Sequence, residues 1–153
     1  MRTVDLDILE DEAAEEQYGE IVLSGLVSPP QVHSIQRGVF VIDTGSPASI
    51  LGHELVDLLD IPVSPLSFDI PGHMAGEKLE FAPLPDVEFS FLTGENRFEG
   101  TLDFEIPRYF REGGPPIDSV LGLDFLDLFD LRLEVDYKGR HRAFLHIPED
   151  HIQ

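Results

Sequence analysis

The chain has 153 residues, of which 42% are hydrophobic and 11 are phenylalanine, enough for one domain with a packed core. Its 30 acidic residues against 10 basic ones give a formal net charge of -20, which argues against nucleic acid and anionic membranes as partners because phosphate contacts need clustered Lys and Arg. Cysteine is absent, and the sequence shows neither a secretory signal pattern nor a run of about 20 apolar residues, so we expect a cytoplasmic protein.

The N-terminal segment is acidic. Residues 10–20 are rich in Glu and poor in apolar side chains, which is typical of a solvated arm. We therefore predict three parts: an acidic arm at 1–20, one domain at 21–148 and a short tail at 149–153.

Beyond the arm, the pattern is mostly that of β-strands. Residues 39–42 form a continuous apolar run, as in a strand buried on both faces, and this run stops at Asp43-Thr44-Gly45-Ser46-Pro47. Residues 66–70 and 77–81 flank the glycine-containing segment 71–76, which predicts a hairpin. Apolar and polar residues alternate in further predicted strands at 87–91, 102–106, 131–137 and 143–147.

Two short helices interrupt the strands. Residues 52–60 carry leucines at helical spacing and end before Pro62, which cannot continue the hydrogen-bond ladder. Residues 123–129 place apolar side chains on one helical face.

The Asp43-Thr44-Gly45 triplet is the first candidate for chemistry, because a carboxylate follows directly on a buried strand. Taken alone, the triplet is more typical of a β-turn, in which Asp and Gly are favoured, than of a catalytic site. Two further segments change its interpretation. Gly72–Gly76 gives a glycine-bearing hairpin about thirty residues later, and Val120-Leu121-Gly122 runs from an apolar pair into a predicted helix.

Residues 21–147 resemble the retropepsin-like aspartic peptidases. The resemblance rests on the order and spacing of the Asp-Thr-Gly triplet, the glycine-bearing hairpin and the apolar pair before Gly122. The resemblance implies an all-β fold, a small closed barrel with one or two short helices. It also implies a homodimer in which each chain contributes one catalytic Asp43, since the triplet occurs once in the sequence. The implied function is an aspartic endopeptidase that hydrolyses peptide bonds in extended substrates without a cofactor or metal ion.

The resemblance also assigns roles to the neighbouring residues. Thr44 braces the two active-site loops across the dimer, and the backbone N–H of Gly45 approaches a carboxylate. Ser46 is expected to donate a hydrogen bond to the Asp43 carboxylate and so to favour its charged form. The flap and substrate-binding residues are Gly72, His73, Met74, Ala75 and Gly76. Val120, Leu121 and Gly122 pack behind the loop, where a side chain at Gly122 would collide with it.

Some features depart from the family pattern or allow another function. The interval from Asp43 to Gly122 is longer than in compact viral enzymes, with residues 109–117 as the expected inserted loop. Substrate preference is therefore not carried over. The alternative function is a catalytically weak module that keeps the fold for dimerisation or peptide binding.

Histidines and carboxylates elsewhere in the sequence show no metal-ligand spacing. The six histidines lack zinc motifs and are expected at the surface; they are His33, His53, His73, His141, His146 and His151. Asp124, Asp127 and Asp130 recur every third residue without a calcium-loop glycine pattern, which favours a solvated helix face over a cation site.

Overall fold

The alternation of apolar and polar residues produces an all-β chain in the computed structural model, which describes residues 1–9, 19–74, 76–108, 116–136 and 142–152. Within these ranges the strands are β1 (Arg2–Leu9), β2 (Glu20–Ser28), β3 (Gln36–Ile42), β4 (Ser49–Ile50), β5 (Ile70–Met74), β6 (Glu77–Thr93), β7 (Asn96–Pro107), β8 (Val120–Leu121), β9 (Arg132–Asp136) and β10 (Arg142–Ile147). The two predicted helices are confirmed as α1 (His53–Leu58) and α2 (Leu123–Leu128). Each has six residues, and no helix in the described ranges is long and apolar enough to cross a membrane.

Six of the strands close into a barrel, as the resemblance implies. The strand order is β5-β6-β7-β4-β8-β3-β2-β1-β10-β9, and a further pairing of β6 with β2 joins the two halves of the sheet. In this pairing Leu26 lies opposite Ser90 and Val27 opposite Phe89. Most neighbours are antiparallel, but β8 runs parallel to β3 and β4 runs parallel to β7.

Phenylalanine side chains fill the barrel. The rings of Phe40 and Phe89 meet edge to face at 5.2 Å between centroids, and Phe89 meets Phe125 of α2 in the same way at 5.5 Å. Each of these three side chains is at most 1% exposed. Aromatic pairs of this geometry add about 0.5–1.5 kcal/mol beyond area burial, so α2 is held firmly against the barrel.

Parts of the predicted N-terminal arm and C-terminal tail have regular structure. β1 pairs with β10 through Arg2–Leu6 and with β2 through Asp7–Leu9, because Val4, Leu6 and Ile8 give it an apolar face. Residues 10–18 lie outside the described ranges. In the tail, Glu149–His151 forms a 3₁₀ turn and Ile152 bridges to Phe98.

Candidate active site

The Asp43 carboxylate lies on an exposed turn where β3 ends. Ile42 is buried, and the next three residues, Asp43, Thr44 and Gly45, are exposed. The backbone N–H of Ser46 donates to the Asp43 carbonyl at 3.1 Å, which closes a four-residue turn. The Gly45 N–H donates to Asp43 Oδ1 at 2.8 Å, so the backbone of the turn holds the carboxylate in place.

β8 supports this turn from behind. It pairs in parallel with β3, Val41 opposite Val120 and Ile42 opposite Leu121, and the Asp43 N–H donates to the Leu121 carbonyl at 3.0 Å. Gly122 then passes so close to the turn that an added Cβ would lie 2.4 Å from the Ser46 carbonyl oxygen. Only a glycine permits this backbone approach.

A hydrogen-bonded clamp that the sequence pattern did not predict joins β4, the strand after the turn, to helix α2. Asp124 accepts from the Ser49 hydroxyl at 2.7 Å and from the Ser49 N–H at 3.0 Å. The same hydroxyl accepts from the Gly122 N–H at 3.0 Å. The interpretation of Asp124 as part of a solvated helix face is therefore wrong, whereas Asp127 and Asp130 are exposed. The sequence offered two signals of this clamp, a serine in an apolar strand and an aspartate early in a helix. Their pairing could not be predicted, because the two residues are 75 positions apart.

The Ser46 hydroxyl does not contact Asp43. It donates to the Ala48 carbonyl at 2.7 Å and thus stiffens its own loop. The expected donation to the Asp43 carboxylate is wrong, because a hydroxyl has one proton to donate and here the Ala48 carbonyl accepts it.

Thr44 is exposed, and in the described part of a single chain its hydroxyl has no hydrogen-bond partner. The brace across the dimer involves a second chain and stays a prediction.

The hairpin is present, and its first strand extends further into the predicted tip segment than expected. β5 pairs with β6 from Ile70 opposite Phe81 to Met74 opposite Glu77. Gly72, His73 and Met74 therefore belong to the strand, and Gly76 has a φ of 79°, which suits glycine. Ala75 lies outside the described residues.

A small apolar cluster lies beneath the hairpin, separate from the main core. Its buried members come from four segments and are Ile50, Leu79, Phe81, Ile117 and Val120. Ile70 and Met74 of β5 pack against it and stay partly exposed. The hairpin and the strand that supports the Asp43 turn thus share one apolar surface.

A buried histidine fixes the entrance to β8. His53 is 4% exposed; its Nδ1 accepts from the Ile117 N–H at 2.9 Å and its Nε2 donates to the Pro107 carbonyl at 2.8 Å. This pair of bonds defines the neutral tautomer, and burial lowers the pKa of the ring. The expectation of a surface position is wrong for His53, while His33 and His73 are exposed.

Glu105 of β7 is a half-buried carboxylate that lies opposite Ile50, next to the clamp. Burial raises the pKa of Glu105, and the charge of Asp124 raises it further.

Across the described ranges, no three His, Asp or Glu side chains are arranged to hold a metal ion.

Comparison with known proteins supports the fold. No protein-family model and no curated protein sequence matches the chain. Its structure is similar to the crystal structure of a retropepsin-like aspartic protease from Rickettsia conorii, with a TM-score of 0.56 and 17% sequence identity. The match covers 94% of this chain and 91% of that one. The chain therefore has a retropepsin-like fold.

Proposed function

We propose that this protein is an aspartic endopeptidase in which two Asp43 carboxyl groups, one from each chain of a homodimer, activate a water molecule against a peptide bond. The observation that carries the proposal is the Asp43 turn, an exposed carboxylate held by the Gly45 N–H at 2.8 Å at the end of a barrel strand. The clamp behind it provides the rigidity that a catalytic group needs.

The chemistry needs two carboxyl groups in different protonation states. An ionised one takes a proton from water, and a protonated one donates a hydrogen bond to the carbonyl oxygen of the substrate. Two carboxylates about 3 Å apart cannot both be ionised, so the pair shares one proton.

A two-fold axis supplies the second group. The Asp-Thr-Gly triplet occurs once in the sequence, so a single chain has one half of the pair. Two-fold symmetry brings identical loops together, and the Thr44 hydroxyls are available to bond across the axis.

The hairpin suits an extended substrate. β5 is at the end of the strand order, where its outer backbone groups are available to pair with another extended chain. Closure of the hairpin over a peptide would exclude water from the carboxyl pair.

The decisive test is cleavage of a mixed peptide library by wild type and by Asp43→Asn, with and without a pepstatin-type inhibitor. The amide keeps the shape of the carboxylate but cannot act as a base, so we expect activity to fall by at least about 100-fold. Asp127→Asn is the matched control, because it removes an exposed carboxylate from helix α2 and should retain full activity.

The other outcomes separate the two candidate functions. Equal cleavage by wild type and Asp43→Asn would show that Asp43 is not catalytic. Peptide binding without cleavage by the wild type would identify a binding module instead of an enzyme.

A further inference from the structure

A groove of about 610 Å³ runs along the face of β3 that leads to Asp43. Phe40 and Ile42 point into the core, so Val39 and Val41 lie on the opposite face, and strand alternation places Asp43 next in that row. Two residues of a strand span about 7 Å, so the groove begins that far from the catalytic candidate.

The floor of this groove is apolar and accessible. Val39 is 54% exposed and Leu58, which lines the groove from helix α1, is 52% exposed. Such a surface accommodates the methylene stem of a long side chain.

The charges around the groove are mainly negative. Three carboxylates line it, from Glu20, Glu54 and Asp118, against one guanidinium, from Arg37. Arg37 is six residues before Asp43, about 20 Å along the strand.

Asp118 lies near the end of the groove that is closest to Asp43. The next residue, Ser119, accepts at its carbonyl from the Val41 N–H at 3.0 Å. Asp118 is exposed and has no ion-pair partner among the described residues.

We propose that Asp118 makes this groove selective for a Lys or Arg side chain of the substrate, at a position within two residues of the scissile bond. The inference rests on the proposed peptidase function, since it treats the groove as part of the substrate cleft. The stem of the cationic side chain packs on Val39 and Val41, and its charged end reaches the Asp118 carboxylate.

Substrate pairs that differ at one position provide the test. One peptide of a pair carries Lys, and the other carries norleucine, an uncharged near-isostere, at the same position. Separate pairs place this residue at each of the two positions on either side of the scissile bond. At low salt we expect kcat/KM for Lys to exceed that for norleucine by roughly 10-fold at one position. Asp118→Asn should reduce this ratio to nearly 1, and Asp118→Lys should favour Glu over Gln there.

The control is Glu95→Gln, which removes one exposed negative charge from the turn between β6 and β7, outside the groove. It should leave the ratio unchanged, which separates a local contact from the effect of net charge. Raising ionic strength should reduce the wild-type ratio, because exposed charges are screened.

A binding measurement keeps the groove proposal distinguishable from the peptidase proposal. The Lys and norleucine peptides are labelled with a fluorophore, and their binding to the Asp43→Asn variant is measured by fluorescence anisotropy. Tighter binding of the Lys peptide that is lost on adding Asp118→Asn supports the groove even if the wild type cleaves nothing, in which case only the peptidase function fails. Cleavage or binding with equal preference for Lys and norleucine, or a preference that survives in Asp118→Asn, overturns the inference.

Discussion

His53 shows how burial turns a histidine into a structural group with a pH dependence. An unfolded chain protonates this ring near the ordinary value of 6.5, but burial lowers the pKa in the folded state. Between these two values the unfolded state binds more protons, so the free energy of unfolding decreases as the pH falls below about 6.5. Protonation would also place a proton on Nδ1, which accepts from the Ile117 N–H.

We therefore predict that wild type loses more stability than His53→Gln between pH 7.5 and pH 5.5, measured by chemical denaturation at each pH. The glutamine does not titrate, so the variant should be less stable at pH 7.5 and show a shallower decline. His33→Gln, at an exposed position, should follow the wild-type slope. Parallel slopes for wild type and His53→Gln would contradict the assigned role of burial.

At the scale of elements, the Ser49–Asp124 clamp connects β4 to helix α2 and fixes the Asp43 turn between them. The Ser49 side chain is fully buried, and both its N–H and its hydroxyl donate to Asp124. Removal of the carboxylate leaves these donors without an acceptor in a site that water reaches poorly.

Asp124→Ala should accordingly lower the free energy of unfolding by about 1–3 kcal/mol. Asp127→Ala, three residues further along the same helix and exposed, should change it by no more than about 0.5 kcal/mol. Thermal unfolding of both variants gives the comparison. Equal stability losses would mean that the clamp contributes no more than any surface aspartate.

At the scale of the whole molecule, the acidic charge opposes the proposed dimer. Each chain carries a formal charge of -20, so association brings two strongly negative particles together. Salt reduces this repulsion, because the screening length falls from about 10 Å at 0.1 M to about 3 Å at 1 M.

The dimer should therefore be tighter, and specific activity at low protein concentration higher, at high ionic strength. At high protein concentration the salt effect should vanish, because mass action already populates the dimer. Specific activity measured against protein concentration, beside sedimentation of the same samples, tests both statements. Full activity of a sedimenting monomer at low salt would exclude a shared pair of carboxylates.

The sequence by itself determined the features that arise from local pattern. Alternation predicted most strands, and leucine spacing with Pro62 predicted α1. The apolar run before Asp43 marked the exposed turn, and the apolar pair before Gly122 marked the supporting strand. These signals are readable because strand period, helix period and turn chemistry each depend on a few neighbouring residues.

Only the tertiary structure decided which distant groups meet. The Ser49–Asp124 clamp spans 75 residues, and the bond from Ile117 to His53 spans 64. The choice of Ala48 rather than Asp43 as acceptor for Ser46 depends on the exact path of the turn. Barrel closure through β2 and β6, and the pairing of β1 with β10, likewise join residues far apart in sequence. Periodicity shows which face of a strand is apolar, but the partner that covers this face is selected by packing of the whole chain.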